Sequence, residues 1–283
     1  MNQTTISSAP VAIARSFLFV PANRPERLAK ALSSCADAVV LDLEDSVPPQ
    51  DKARAREAVA RQWATVSSQS QSIVIRINPP QSEAGVADLA WLVKLKPCPV
   101  IMVAKADSAS TLEQVHAICP GAPLLPLIES AQGYARLAEI AAAANVVRLV
   151  VGHIDFMVDI GIRCSSDQRE LEALRFAVAI QTRLNNLAAA VDGVTVDVDD
   201  QELLRTDSLR ALSFGFGAKL CIHPRQVETV HAAFAPSEAE VHWARRVLEG
   251  NRTAGGAAFK LDGRMVDVPV VLQAQRTLDR VRA

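Results

Sequence analysis

Short runs of Val, Ile and Leu recur eight times along this chain, each followed by a stretch with helical pattern. The apolar runs fall at 16–20, 38–43, 73–77, 100–104, 124–128, 146–151, 191–196 and 218–222. The helical stretches fall at 24–34, 51–67, 85–95, 108–118, 131–143, 166–188, 200–214 and 225–234. A strand buried on both faces reads as a continuous apolar run, and a helix joining two such strands makes them parallel neighbours. Eight βα units in succession predict an α/β protein whose sheet closes into a (β/α)8 TIM barrel. A doubly wound open sheet is the alternative. It calls for a glycine-rich first turn, and the first turn here is Pro21-Ala22-Asn23-Arg24-Pro25.

The 283 residues suffice for one such barrel plus a remainder. Aromatics are only 4% of the chain, which suits close-packed helices on a Val/Ile/Leu sheet rather than an aromatic core. Residues 1–14 are Ser/Thr-rich and read as a flexible tail. The barrel domain is expected over 15–250, including a last amphipathic helix that opens at Pro236-Ser237. Residues 251–283 begin in a Gly-rich linker, lie outside the eightfold pattern and read as a separate C-terminal helical segment. Asp51, Ser108 and Ser130 stand where helices should begin and are expected to cap them.

A net charge of −1, without a basic stripe interleaved with aromatics, argues against nucleic-acid binding. No apolar run is long enough to span a bilayer. Cys35, Cys98, Cys119, Cys164 and Cys221 include no CxxC pair, and are expected to be reduced thiols in a cytoplasmic protein.

Active sites in such barrels form at the C-terminal ends of the strands. The strand tips are therefore the candidates: Asn23 and Arg24, then Asp42, Glu44 and Asp45, then Arg76 and Asn78, Lys105, Glu129, Asp155, Asp197 and His223. Glu129 and Asp155 leave neighbouring strands. Two carboxylates plus waters is a common way to hold Mg²⁺, although pairing of Glu129 with Lys105 or Arg76 would serve charge balance alone. Arg76 sits inside an apolar strand. Its guanidinium suits a carboxylate or a developing oxyanion, or else a buried pair with Asp42 or Glu44. Asp45 also fits a cap for the turn at Pro48-Pro49.

Five ordered motifs then carry a resemblance. Arg15-Ser16-Phe17-Leu18-Phe19-Val20-Pro21-Ala22, Leu41-Asp42-Leu43-Glu44-Asp45-Ser46-Val47, Arg76-Ile77-Asn78, Leu127-Ile128-Glu129-Ser130 and Lys219-Leu220-Cys221-Ile222-His223-Pro224 resemble the citrate lyase beta-subunit-like family. That group includes the malyl-, citramalyl- and citryl-CoA lyases. The resemblance implies a Mg²⁺-dependent carbon–carbon lyase that cleaves a 3-hydroxyacyl-CoA to acetyl-CoA and a 2-oxo acid. It implies Glu129 and Asp155 as metal ligands and Arg76 as substrate binder and enolate stabiliser; Asp42 and Glu44, from their place at the tip of the second strand, are counted with Arg76 as catalytic candidates, one to touch metal-bound water and another to orient Arg76. Phe19, Arg24 and Lys30 resemble positions along the CoA channel, and Ile222, His223 and Pro224 those near the adenine. Gly263-Arg264-Met265-Val266-Asp267-Val268-Pro269 resembles a C-terminal lid that closes over a neighbouring subunit's site and delivers Asp267, in a homotrimer or hexamer. At the sixth strand the family commonly reads Gly-Thr-Glu-Asp, whereas this chain has Gly152-His153-Ile154-Asp155. Alternatives are an aldolase acting on a free 2-oxo acid without CoA, and a non-catalytic or carrier-protein-dependent lyase subunit.

Overall fold

The computed structural model describes residues 10–69 and 71–281. The apolar runs form β1 (Ser16–Pro21), β2 (Ala38–Asp42), β3 (Ser72–Ile77), β4 (Val100–Val103), β5 (Leu124–Ile128), β6 (Val150–Val151), β7 (Val191–Asp192) and β8 (Ala218–Cys221). Each pairs in parallel with its successor, and β8 pairs back onto β1, so the sheet is a closed barrel. The register sets Asp42 of β2 opposite Arg76 of β3, and Ile128 of β5 opposite Val151 of β6. Around the barrel run α1 (Pro10–Ile13), α2 (Pro25–Leu32), α3 (Lys52–Val66), α4 (Glu83–Leu92), α5 (Ala109–Ile118), α6 (Ala131–Ala135), α7 (Leu137–Ala142), α8 (His153–Ile160), α9 (Glu172–Leu184), α10 (Gln201–Ser213) and α11 (Gln226–Phe234).

Closure is driven by burial. Phe17, Val40, Val74, Met102, Leu125, Leu127, Val150, Val191 and Leu220 form one buried cluster drawn from all eight strands. Each such side chain contributes roughly 1.5–3 kcal/mol when fully removed from water. Arg148, 1% exposed, lies within this apolar interior. Its guanidinium donates to the carbonyls of Val11, Ala14 and Ala189 and stacks 5.4 Å from the Phe17 ring centroid. Buried carbonyls that no ladder satisfies thus receive charge-assisted donors. This corrects the expected tail over 1–14 at its end. Residues 10–13 are helical, with Val11 and Ala14 each 1% exposed, while 1–9 lie outside the described residues.

Two strands are shorter than their apolar runs. Regular pairing in the sixth begins only at Val150, after Arg148 has turned to the three carbonyls. The seventh ends at Asp192 because the carbonyls beyond it are taken by side chains. Lys219 Nζ donates to Gly193 O and Gln226 Nε2 to Thr195 O. Ser108 and Ser130 cap α5 and α6 with side-chain hydrogen bonds, as their position suggests. Asp51 does not. Its carboxylate accepts from Asn23 Nδ2 instead, at 3.4 Å. Asp45 makes no cap for the following turn either, and pairs with Arg76 at 3.5 Å. The expected helix over 131–143 is broken at Arg136 into α6 and α7. α8 has no counterpart among the expected helices. Its C-terminal Gly161, left-handed at φ +70°, is the signal that marks it.

The chain divides into two compact units, one reaching Val230 and one starting at His231. The second unit contains α12 (Glu238–Thr253), the antiparallel pair β9 (Phe259–Leu261) and β10 (Arg264–Val266), and α13 (Val268–Asp279). Ser237 and Glu240 form a capping box that starts α12. Ala244, Val247, Val266 and Ala274 form the unit's own small core. Among the described residues, no helix is long and apolar enough to cross a membrane.

Candidate active site

Arg76 is the hub of the rim. It is 8% exposed, and its Nε and Nη2 donate to the two Asp42 oxygens at 2.6 and 2.7 Å. Its Nη1 lies 2.9 Å from Glu44, and the guanidinium sits 4.9 Å from the Phe19 ring centroid. The bidentate fork fixes the plane of the guanidinium while leaving N–H groups over. Burial alone would raise the Asp42 carboxyl, but the Arg76 hydrogen bond and charge outweigh it, so its pKa lies below the usual value. Backbone N–H groups of Glu44 and Ser46 also donate to Asp42.

Glu44 bridges two cations, accepting from Lys105 Nζ at 2.8 Å as well as meeting Arg76. Burial still holds its pKa above the ordinary value. The loop carrying it is held from α3. Lys52 Nζ donates to the carbonyls of Leu43 and Glu44 and to Asn78 Oδ1, each at 2.8 Å. Asn78 in turn donates from its backbone and side chain to the fully buried Asp88, which pairs with Arg56 at 2.8 Å. Sequence reading missed Lys52, Asp88 and Arg56. Nothing in the local pattern of an amphipathic helix marks a lysine whose ammonium turns inward.

Glu129, at the tip of β5, is 3% exposed. Its Oε1 accepts the backbone N–H of Lys105 at 2.7 Å, made available by a left-handed backbone at Lys105, φ +48°. The Lys105 ammonium goes to Glu44 instead, so neither Lys105 nor Arg76 forms a salt bridge with Glu129. Burial pushes its carboxyl up to about 8, and the negative neighbours Glu44 and Asp155 add to this. Gly152 permits the approach of β6, since a Cβ there would lie 2.6 Å from Glu129 Oε2. Asp155 stands on the first turn of α8. Among the described residues no group of three or more His, Cys, Asp or Glu forms a metal cluster. A buried carboxylate lacking a cationic partner beside a second carboxylate nonetheless fits a divalent ion that keeps much of its water.

These groups share a cavity of about 340 Å³ at the rim. Phe19, Asp42, Arg76, Glu129, Asp155 and Ile222 all line it. Arg24 is exposed and faces Glu26 at 3.9 Å, and Lys30 is exposed on α2. Neither lines the cavity, nor do His223 and Pro224, which lie in the turn after β8. Asp267 is exposed in the second unit as the N-cap residue of α13, with a carboxylate not engaged in capping. Of the unusual tetrapeptide, Ile154 and His153 both line the cavity. His153 is 4% exposed and its Nδ1 has no hydrogen-bond partner. Burial pushes its pKa down to about 4, so the imidazole is neutral near pH 7. Only a glycine fits opposite, because a Cβ on Gly193 would fall 2.0 Å from Nδ1.

A rim site built this way is a property of a family as well as a fold. The family model for the HpcH/HpaI aldolase/citrate lyase family matches residues 15–224. The chain belongs to that family. It is a lyase-family enzyme, similar along nearly its whole length to several relatives. It is 36% identical over 271 residues to a citrate lyase subunit beta-like protein of Mycobacterium tuberculosis, covering 93% of this chain and 94% of that one. It is 33% identical over 273 residues to a (3S)-malyl-CoA thioesterase of Cereibacter sphaeroides, covering 95% of each. Among solved structures it resembles CitE of M. tuberculosis in complex with magnesium, acetoacetate and coenzyme A. The TM-score is 0.82 at 33% identity, covering 95% of this chain and 98% of that one.

Proposed function

We propose that this protein is a Mg²⁺-dependent acyl-CoA lyase that cleaves a small 3-hydroxyacyl-CoA into acetyl-CoA and a 2-oxo acid by a retro-Claisen reaction. The observation that carries the reading is the buried Glu129, without a salt-bridging cation, next to Asp155 in a cavity shared with Arg76. The similarity to a CitE solved with magnesium and coenzyme A supports it. Glu129 and Asp155 would hold the ion. When bound, Mg²⁺ supplies Lewis-acid polarisation of the substrate's oxygens at the hydroxy-acid end.

The protein's own groups do the rest. Glu129 is kept in place by the Lys105 N–H, so its free oxygen can face the ion. Arg76, locked by Asp42 and Glu44, presents its remaining N–H groups to the thioester oxygen as negative charge develops there. Rigidity matters here, because a donor already in position needs no reorganisation as the bond breaks. Phe19 and Ile222 line the cavity with apolar side chains, which would shield the carbanion-like carbon once substrate fills it. Asp267, from a neighbouring copy in a homotrimer or hexamer, delivers the proton that completes acetyl-CoA. The CoA chain would run past Phe19 toward Arg24 and Lys30, with His223 and Pro224 near the adenine.

A second reading, hydrolysis of the thioester, is favoured by the similarity to the malyl-CoA thioesterase. One assay separates the two. The purified chain is given malyl-, citramalyl- or citryl-CoA with Mg²⁺ or with EDTA. Acetyl-CoA and a 2-oxo acid in equal amounts, only with Mg²⁺, are expected. Release of free CoA without a 2-oxo acid selects hydrolysis, and no turnover of any substrate by folded protein rejects both.

A further inference from the structure

The cavity at the rim is rich in carboxylates and poor in cations. Asp42, Asp45, Glu129 and Asp155 line it, and among the described residues Arg76 is the one lysine or arginine that does. Arg76 has no positive charge to spare. Asp42 takes its Nε and Nη2, and Glu44 and Asp45 lie 2.9 and 3.5 Å from its Nη1. Lys105 gives its ammonium to Glu44, and Lys52 gives its own to two carbonyls and Asn78. A divalent ion on Glu129 and Asp155 would offset those two carboxylates and could take one substrate carboxylate as a further ligand. The wall beside the two acids is otherwise largely apolar. Leu127 precedes Glu129 by two residues, Val151 ends β6, Ile154 adjoins Asp155 on the first turn of α8, and Val194 follows β7. Ile154 is 37% exposed, so an alkyl group placed against it removes apolar surface from water.

We propose that the cavity selects a substrate whose hydroxyl-bearing carbon carries a single carboxylate and a small alkyl group, so that the product released is a 2-oxo monocarboxylic acid. The inference rests on the acyl-CoA lyase reading and narrows it to one substrate class. Citramalyl-CoA, with a methyl group on that carbon, fits. Malyl-CoA has only hydrogen there and leaves the apolar wall uncovered. Citryl-CoA brings a second carboxylate to the same wall, where it loses water and meets no cation. Selection thus comes from an unpaired charge in the wrong substrate as well as from fit to the right one.

Ile154 is the specificity-determining position of this wall. It stands beside Asp155, lines the cavity and also reaches solvent, whereas Leu127 and Val151 are buried. A longer side chain at 154 therefore need not displace the packed interior. Ile154→Arg supplies the missing cation, and Ile154→Gln introduces polarity without charge.

The test uses the full chain with Mg²⁺ and has a kinetic arm and a binding arm. The kcat/KM for citramalyl-CoA should exceed that for malyl-CoA about tenfold, the effect of one methyl group in an apolar pocket. It should exceed that for citryl-CoA by more than about 100-fold, the effect of a charge left unpaired. Ile154→Arg should raise citryl-CoA cleavage about tenfold while lowering that of citramalyl-CoA, and Ile154→Gln should bring no such gain. In the binding arm, calorimetry should show 2-oxobutanoate binding more tightly than oxaloacetate, two acids of similar size that differ in the second charge. Citryl-CoA cleaved as fast as citramalyl-CoA would overturn the selectivity and leave the lyase reading standing. So would a gain from Ile154→Gln equal to that from Ile154→Arg. If no thioester is cleaved but 2-oxobutanoate still outbinds oxaloacetate, the lyase reading falls and the selectivity of the cavity stands. Equal binding of the two acids, or none, in a protein that cleaves no thioester overturns both.

Discussion

At the residue scale the site turns on how few groups balance Glu129. Lys105 lends it a backbone N–H and gives its ammonium to Glu44. Glu129→Gln keeps the shape and that hydrogen bond but removes the charge a divalent ion needs. Turnover should fall more than about 100-fold, beyond the usual cost of losing a group that only supports a ligand. Mg²⁺ should raise the melting temperature of the wild type and leave that of Glu129→Gln unmoved. An equal Mg²⁺ shift in both proteins would remove Glu129 from the ion's ligands.

His153 makes a separate prediction, since its folded pKa of about 4 lies below the ordinary value near 6.5. The unfolded chain therefore binds the proton first as pH falls. The stability this group confers is complete above about 6.5 and is lost as pH drops toward 4. Between pH 7 and pH 5 that loss is about 2 kcal/mol. Urea unfolding at the two pH values should show it in the wild type, and His153→Leu should lack that component.

At the element scale, secondary structure serves as scaffolding for loops that carry charge. The loop after β2 places Asp42 and Glu44 around Arg76, and the first residue of α3 ties it down. Lys52 satisfies two backbone carbonyls and Asn78 at once. Lys52→Met leaves these acceptors unpaired, and charged hydrogen bonds of this kind contribute about 1.5–3 kcal/mol each. We expect a stability loss of about 2–4 kcal/mol in urea, together with a lower kcat, because Glu44 and Arg76 lose their fixed geometry. A variant with wild-type kcat would show that the loop holds its shape without Lys52. Helix boundaries were legible where a serine capped them and illegible where a tertiary contact took over. Ser108 does cap its helix, whereas Asp51 spends its carboxylate on Asn23.

At the scale of the whole molecule, two units have separate cores, and the proposed chemistry draws on both. If Asp267 acts on a neighbouring copy, subunits lacking Asp267 and subunits lacking Glu129 are each inactive alone. A mixed oligomer of Asp267→Ala and Glu129→Gln chains, refolded or co-expressed, should then regain part of the wild-type rate. A fully dead mixture made from two folded variants would place Asp267 in its own chain's reaction or outside it altogether.

The closed barrel was legible in the sequence because closure depends on repeated burial. Eight runs of apolar residues cannot leave water unless they pair, and the helices between them allow only parallel neighbours. The tips of those runs likewise announced Asp42, Arg76, Glu129 and Asp155, since an ionisable residue at the end of a buried strand stands at the barrel mouth. Tertiary structure alone decided which charge neutralises which. It sent Lys105 to Glu44, turned Lys52 and Arg148 inward, and set His153 against Gly193. Those outcomes depend on distances of a few ångströms between segments far apart in the chain. Periodicity records which face of a segment is buried, but not which polar atom it meets there.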